Sequence, residues 1–138
     1  HELISKTGEF TVNLVGRDLC EAMDFCGVKS GRDVDKFAHL KLTAIPAPGL
    51  ETAPAVAEAP AFLSCKVRQV MELGTHDMFI ADVVGIEADE RYIDPETGKF
   101  SLDKASPIVY SHGEYYTLGK LIGHFGWSVR KKTTKRKR

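Results

Sequence analysis

Gly74-Thr75 separates the two longest β-type runs of the chain, and this arrangement constrains the fold more than any other feature. Residues 61–73 and residues 76–87 are both rich in strand-forming side chains. A short connection that contains glycine between two such runs predicts a β-hairpin. The hairpin would present the imidazole of His76 at the edge of a sheet, where a flat ligand can contact it.

The rest of the pattern predicts short antiparallel strands and few helices. Residues 46–60 hold four prolines and should run extended over the surface, whereas residues 88–107 are polar and centre on a turn at residues 94–98. The other predicted elements are a strand over 9–15, a helix over 17–26, a loop over 27–32, a helix capped by Asp33 that ends at Leu40, a short strand over 42–45, and a hairpin of residues 108–112 and 115–118. This pattern predicts a mainly β (α+β) fold, with a small antiparallel barrel and a few short helices.

The composition excludes several classes of protein. The 138 residues are 43% hydrophobic and 28% charged, as in ordinary globular domains. No apolar run approaches the length of a membrane span, so no membrane partner is expected. Three cysteines without a Cys-x-x-Cys pair argue against a disulfide framework or a zinc site, and they predict a reducing, cytoplasmic compartment.

The net charge of zero conceals an uneven distribution. The last nine residues hold seven of the nineteen Lys and Arg side chains, which leaves 12 basic against 19 acidic residues before Arg130. Such a tail can anchor nucleic acid or an anionic surface. A solvated, disordered tail over residues 129–138 is the favoured interpretation, because no aromatic side chain interrupts the basic run.

Motifs for dinucleotide folds, P-loops and nucleophile elbows are missing from the sequence, and the five histidines lack metal-binding spacing.

Residues 30–37, which include Ser30, Asp35 and Lys36, start a predicted helix and combine cations with backbone N–H groups. They can hold a phosphate or an electron-rich ring, or they can simply form a capped helix with exposed ion pairs. Tyr110 lies on a glycine-flanked hairpin, where it either walls a flat ligand or is an ordinary strand residue.

Five ordered stretches resemble one family, the flavin reductase-like proteins of the FMN-binding split β-barrel group, which includes the flavoredoxins. The resemblance extends from residue 1 to about residue 128. The matching stretches are residues 8–14, residues 30–37, residues 53–67, residues 74–83 with the Gly-Thr-His of the hairpin, and residues 107–119. It implies one flavin reductase-like domain over residues 1–128, folded as an antiparallel split β-barrel.

The resemblance also implies a cofactor, a partner and site residues. It implies FMN at the interface of a homodimer, with NADH or NADPH as electron donor. Lys36 would lie near the flavin, His76 would act as the catalytic residue facing the flavin or nicotinamide ring, and Tyr110, Ser30 and Asp35 would complete the cofactor site. The family's first strands and much of its phosphate-gripping loop would precede His1, so the barrel is expected to be incomplete at its N-terminus.

Two functions follow from the resemblance. The first is flavin reduction by NAD(P)H, in which the cofactors carry the hydride and the protein orients them. The second is flavoredoxin-like electron transfer, in which FMN accepts electrons from another protein. Thr75 stands where the family has an acidic residue, which favours the second function slightly. An interaction domain that binds nucleic acid through its tail ranks third.

Overall fold

The structure is a computed structural model, and it describes residues 1–130. The basic tail predicted for residues 129–138 therefore lies almost entirely outside the described residues. Three helices and seven strands are named here in chain order: α1 (Glu2–Thr7), β1 (Glu9–Asn13), α2 (Cys20–Val28), α3 (Lys36–Leu40), β2 (Ala44–Ile45), β3 (Ala55–Val56), β4 (Ala61–Glu72), β5 (Asp77–Ala88), β6 (Ile108–Ser111) and β7 (Glu114–Thr117). Single 3-10 turns occur at Arg17–Leu19, Glu90–Tyr92, Leu102–Ala105 and Trp127–Val129.

The central sheet has the order β1-β4-β5 and is antiparallel throughout. Its long hairpin closes through a two-residue loop, in which the amide of Leu73 donates to the carbonyl of His76 at 2.9 Å. Gly74 has φ 90°, a conformation that glycine adopts without the steric cost of a Cβ. The hairpin predicted around Gly74 is confirmed.

The proline-containing segment, residues 46–60, forms a strap that is bound to the polar side chains of β1. The carboxylate of Glu9 accepts hydrogen bonds from the amides of Glu51 and Thr52 at 2.9–3.2 Å. Thr11 donates to the carbonyl of Pro54 at 2.7 Å, and Asn13 accepts from the amide of Val56 at 2.9 Å. Because side chains two residues apart share one face of a strand, residues 9, 11 and 13 form one continuous binding edge for the strap.

A small core lies beneath the strap. Ala47, Ala55 and Phe62 are buried, with Ile45 and Leu50 packed against them. The strap approaches the sheet so closely at Gly85 that a Cβ there would lie 2.8 Å from the carbonyl oxygen of Pro48. Only glycine fits at that position of β5 while the strap stays in place.

The second hairpin, β6 and β7, turns at His112 and Gly113, which have φ 50° and 84°. Two positive φ values are typical of the type I′ turns that join paired strands. A single antiparallel bridge between Gly16 and Pro107 connects this hairpin to the end of β1. The predicted hairpin is therefore confirmed, and the described chain consists mainly of antiparallel strands with a few short helices.

Some sequence predictions were wrong in detail. The helix α1 was not predicted, because six residues are too short for a clear helical periodicity. Asp35 rather than Asp33 caps α3, since its carboxylate accepts the amide of Ala38 at 3.1 Å. The helix predicted over 17–26 is a 3-10 turn followed by α2, which extends to Val28 into the predicted loop.

The Glu9 contacts predict a stability that depends on pH. The N–H group of Thr52, helped by its hydroxyl and by the amide of Glu51, lowers the pKa of Glu9 below its ordinary value of 4.5, against the opposing effect of burial. The fold thus stabilises the ionised form of Glu9. The contribution of this charge to the free energy of unfolding is present above pH 4.5, and it is lost as the pH falls through the lower pKa of the folded state.

Glu9→Gln should therefore lower the urea midpoint of unfolding at pH 7 and have a smaller effect well below pH 4. Urea titrations followed by circular dichroism at the two pH values would measure this. Glu72→Gln, at an exposed position near the end of β4, is the control. An equal loss at both pH values would contradict the role given to the Glu9 charge.

Candidate functional site

The loop after α2 forms a tight, polar turn. The amide of Asp33 donates to the carbonyl of Ser30 at 3.2 Å, and the amide of Arg32 donates to the hydroxyl of Ser30, also at 3.2 Å. The guanidinium of Arg32 pairs with the carboxylate of Glu2 on α1. Ser30 and Arg32 line a cavity of about 530 Å³ together with His1 and Glu2. The lining of this cavity thus includes the guanidinium of Arg32, the hydroxyl of Ser30 and the carboxylate of Glu2.

Lys36 and Asp35 hold that loop in position. The ammonium of Lys36 donates to the carbonyl of Cys26 at 2.6 Å and so binds the last turn of α2, where carbonyl groups lack helical partners. Asp35 caps α3 from the other side of the loop. The two helices also contact each other through the rings of Phe25 and His39, which stack at 4.5 Å between centroids.

His76 lies exposed at the closed end of the β4–β5 hairpin. The hydroxyl of Thr75 is 3.0 Å from Nδ1 of the His76 imidazole, so Nε2 is the ring nitrogen left for a ligand. His76 lines a cavity of about 540 Å³ with Gly74, Thr75 and Phe79, and with His1 and Ile4 of the N-terminal segment. An imidazole, a phenyl ring and an open glycine give this cavity the surfaces that a flat ring can contact.

His1 is common to the two cavities. Its Nε2 lies 2.6 Å from a carboxylate oxygen of Asp77 on β5, and its ring meets that of Phe79 edge to face at 5.6 Å. The start of α1 therefore connects the Ser30 turn, through Glu2 and Arg32, with the hairpin that carries His76. The sequence pattern predicted both regions but not the residues that join them, because α1 has no motif of its own.

Tyr110 lies elsewhere, on the β6–β7 hairpin. Tyr110 is 66% exposed, and its ring packs against the ring of Tyr115 with 5.4 Å between the centroids. Tyr115 lines a third cavity, of about 770 Å³, together with Cys20 and Asp24 of α2. Within one chain, the predicted site residues thus fall into two groups. In the first group, Ser30 and His76 line the adjoining cavities, and Lys36 and Asp35 support the loop. Tyr110 forms the second group, on the other hairpin.

The two adjoining cavities are compatible with a flavin nucleotide. Each volume falls within the 300–1,000 Å³ or so that is typical of small-molecule sites. Arg32 pairs with a carboxylate in the first cavity, and the second cavity has ring surfaces from His76 and Phe79. Among residues 1–130, no group of three or more His, Cys, Asp or Glu side chains has the arrangement of a metal site. No helix within the same range is long and apolar enough to cross a bilayer.

The Tyr115 contact predicts an altered titration. The phenol of Tyr115 donates to the carboxylate of Asp24 at 2.8 Å, and this hydrogen bond, with burial and the Asp24 charge, raises the pKa of Tyr115 to about 12. Because the folded-state pKa is raised, the contribution to stability is present below the ordinary value of 10 and is lost as the pH rises through about 12.

Asp24→Asn should return the pKa of Tyr115 toward 10, since the carboxylate charge is removed. Ultraviolet absorbance of ionised tyrosine during an alkaline titration would show an additional tyrosine titrating near 10, and Glu21→Gln, also in this cavity, should not change the curve. Superimposable curves for Asp24→Asn and the parent chain would contradict the contact.

Comparisons with known proteins place these features in a family. A model of the flavin reductase like domain matches residues 1–119. The structure is similar to flavoredoxin of Desulfovibrio vulgaris (Miyazaki F), with a TM-score of 0.82 and 28% identity over 92% of this chain and 68% of that one. It is also similar in fold to a protein with a split barrel domain from Shewanella frigidimarina NCIMB 400, with a TM-score of 0.74 and 23% identity over 89% and 63% of the two chains.

The sequence is also similar to the reductase component of 4-nitrophenol 4-monooxygenase/4-nitrocatechol 2-monooxygenase from Rhodococcus opacus, with 33% identity over 89 residues. That match covers 64% of this chain and 43% of the relative. Other curated relatives are matched over 36–64% of their own length, so the chain spans less than two thirds of each of these relatives. The family match over residues 1–119 shows that the chain belongs to the flavin reductase-like family, with the antiparallel split barrel predicted from its sequence.

Proposed function

We propose that this protein binds FMN across the two cavities that meet at His1 and uses it to accept electrons from NADH or NADPH. Membership of the flavin reductase-like family makes its function flavin-related redox chemistry. The observation that carries the finer proposal is the common border of an anion-holding cavity and a ring-lined cavity. A nucleotide with a charged end and a flat end matches that combination.

The phosphate end of FMN fits the Ser30 turn. The guanidinium of Arg32 would release the carboxylate of Glu2 and bind the phosphate instead. A phosphate is more highly charged, and guanidinium groups bind it bidentately. Both Arg32 and Glu2 are exposed, so the exchange requires no buried charge to be uncovered. Lys36 would act by fixing the loop between α2 and α3, since its ammonium is already bonded to Cys26.

The flavin ring fits the hairpin end of the site. The Nε2 of His76 can donate a hydrogen bond to the edge of the ring when the Thr75 hydroxyl donates to Nδ1 and so fixes the imidazole orientation. Phe79, held against His1, supplies an apolar surface beside it. When bound, FMN supplies the hydride and electron chemistry, and the protein's side chains bind and orient it.

A second candidate is electron transfer without nicotinamide oxidation, in which a redox protein reduces the bound FMN. Thr75 favours it, because the acidic residue of the family's Gly-Asp-His pattern is replaced by a hydroxyl that contacts the neighbouring imidazole. In either case we propose a homodimer, so that Tyr110 of one copy can approach the flavin of the other. This arrangement would bring together the two groups of site residues that one chain keeps apart.

The visible absorbance spectrum with added FMN tests the proposal. Bound flavin should shift the absorbance bands and quench the FMN fluorescence, and the complex should then oxidise NADH or NADPH steadily under air. A flavin complex that a protein donor reduces but that leaves both nicotinamides unchanged would select the electron-transfer function. Spectra and fluorescence identical to those of free FMN would overturn both candidates.

His76→Ala should weaken FMN binding by about tenfold, as expected for the loss of one hydrogen bond to a polar cofactor. Fluorescence titration with FMN would measure the change. His124→Ala is the matched control, because His124 is exposed and lines neither of the two cavities. Equal affinities of His76→Ala and the parent chain would place the ring site elsewhere.

A further inference from the structure

A cavity of about 640 Å³ beside the β6–β7 hairpin gathers basic side chains from three separate segments of the chain. Arg17 follows the end of β1, Lys99 follows the polar turn of the loop between β5 and β6, and His124 lies in the segment after β7. The hydroxyl-bearing residues Ser106 and Thr117 line the same cavity. It shares no lining residue with either cavity of the proposed flavin site, so it is a separate concentration of polar groups.

The charges of this cavity are not neutralised by the fold. Neither Arg17 nor Lys99 forms an ion pair with a carboxylate among residues 1–130, although each of the other arginines before Arg130 does. Those pairs are Arg32–Glu2, Arg68–Asp82 and Arg91–Asp89. A guanidinium group binds oxyanions through two parallel hydrogen bonds, and that of Arg17 is available to do so.

The charge balance of the cavity differs from that of the whole chain. Of the residues that line it, only Asp103 is acidic, whereas the chain before Arg130 holds 12 basic and 19 acidic residues. Like charges that line one cavity repel each other, and an anion bound between them replaces that repulsion with attraction. The local excess of positive charge therefore favours an anionic ligand.

The backbone around Arg17 is held in place by the fold. Gly16 is buried against the loop before β6, where a Cβ would lie only 2.3 Å from the carbonyl oxygen of Ala105. The amide of Arg17 donates to the carbonyl of Ser106 at 3.0 Å. Groups that are positioned before a ligand arrives lose less conformational entropy when it binds. The guanidinium of Arg17 and the hydroxyl of Ser106 thus start from neighbouring, fixed points of the backbone.

The donor set matches a phosphate better than a carboxylate. A phosphate group carries nearly two negative charges and three strong acceptor oxygens, and the cavity has two permanent cations, an imidazole and two hydroxyl groups. Its volume is far larger than one phosphate and is typical of sites for small organic molecules. The remaining side chains of the lining, which include Pro107, Leu118 and Leu121, are mostly apolar. The lining therefore fits a ligand with a phosphate at one end and an apolar group at the other.

We propose that this cavity binds a small phosphate monoester, with the phosphate held by Arg17, Lys99 and His124 and the organic group against Leu118 and Leu121. The site is additional to the flavin site, and the inference does not depend on the proposed redox function. FMN is itself a phosphate monoester, so a simpler phosphate is the better probe of this cavity.

Two-dimensional amide NMR spectra of the isotope-labelled full chain would locate the ligand. Titration with phenyl phosphate at fixed ionic strength should shift the signals of Arg17, Ser106 and Thr117. Inorganic phosphate should shift the same signals only at higher concentration, because it lacks the organic group. Phenol, which lacks the phosphate, should leave them unshifted.

Four variants test the donor set. Arg17→Gln should weaken phenyl phosphate binding at least about tenfold, since it removes charge-assisted hydrogen bonds. Ser106→Gly should weaken it about threefold through the lost hydroxyl, while glycine keeps the backbone at φ 49° without strain. Asp103→Asn should strengthen binding, because it removes the acidic residue of the lining. Lys104→Gln is the matched control, since it removes a charge from the same loop but outside the cavity, and the affinity should change by less than about twofold.

The spectra of the variants also verify that each one is folded. Unshifted signals of Arg17 and Thr117 in the parent chain would overturn the proposal. So would equal losses of affinity in Arg17→Gln and Lys104→Gln, or equal affinities for phenyl phosphate and inorganic phosphate.

Arg32→Gln separates this cavity from the flavin site. The shifts at Arg17 should persist in that variant, because Arg32 lines a different cavity; their loss would overturn the separation of the two sites. A failure of the proposed function has another signature, since FMN would then leave the signals of Ser30 and His76 unshifted, whatever phenyl phosphate does at Arg17.

Discussion

The attachment of the strap to the polar edge of β1 is the interaction on which the rest of the structure depends. Four backbone groups of residues 51–56 are hydrogen-bonded to side chains of this edge, which belong to Glu9, Thr11 and Asn13. These contacts keep the strap over Phe62 and provide the small core of the described chain. Phe62 is the one buried large hydrophobic side chain among residues 1–130, so the strap that covers it supplies the main apolar contact of the central sheet.

Short-range sequence signals predicted much of this fold. The Gly74 turn and both hairpins follow from turn chemistry and strand propensity, which act over a few residues. The strand predicted over residues 9–15 is confirmed as β1, but nothing in the sequence pattern showed that its polar side chains bind the strap. The reason is physical, because a polar side chain that binds a distant backbone has the same pattern as one that faces water.

The candidate site was predicted only in part, for a similar reason. Residues 30–37 and His76 were selected by composition and resemblance, and the structure brings Ser30 and His76 to adjoining cavities. The link through His1, Glu2 and Phe79 arises from tertiary contacts between segments up to 78 residues apart, for which the sequence has no local signal. The cofactor roles of Lys36, Asp35 and Tyr110 stay predictions, although Lys36 and Asp35 have clear structural partners.

The close approach of Pro48 to Gly85 has a consequence for how related sequences can vary. A methyl group at residue 85 would push the strap outward, and the amides of Glu51 and Thr52 would move with it away from Glu9. Gly85, the strap and Glu9 are remote from one another along the chain, yet one steric constraint thus acts on all three. During evolution, a larger residue at position 85 would have to arrive together with a reshaped strap, so these sites should be inherited as a set.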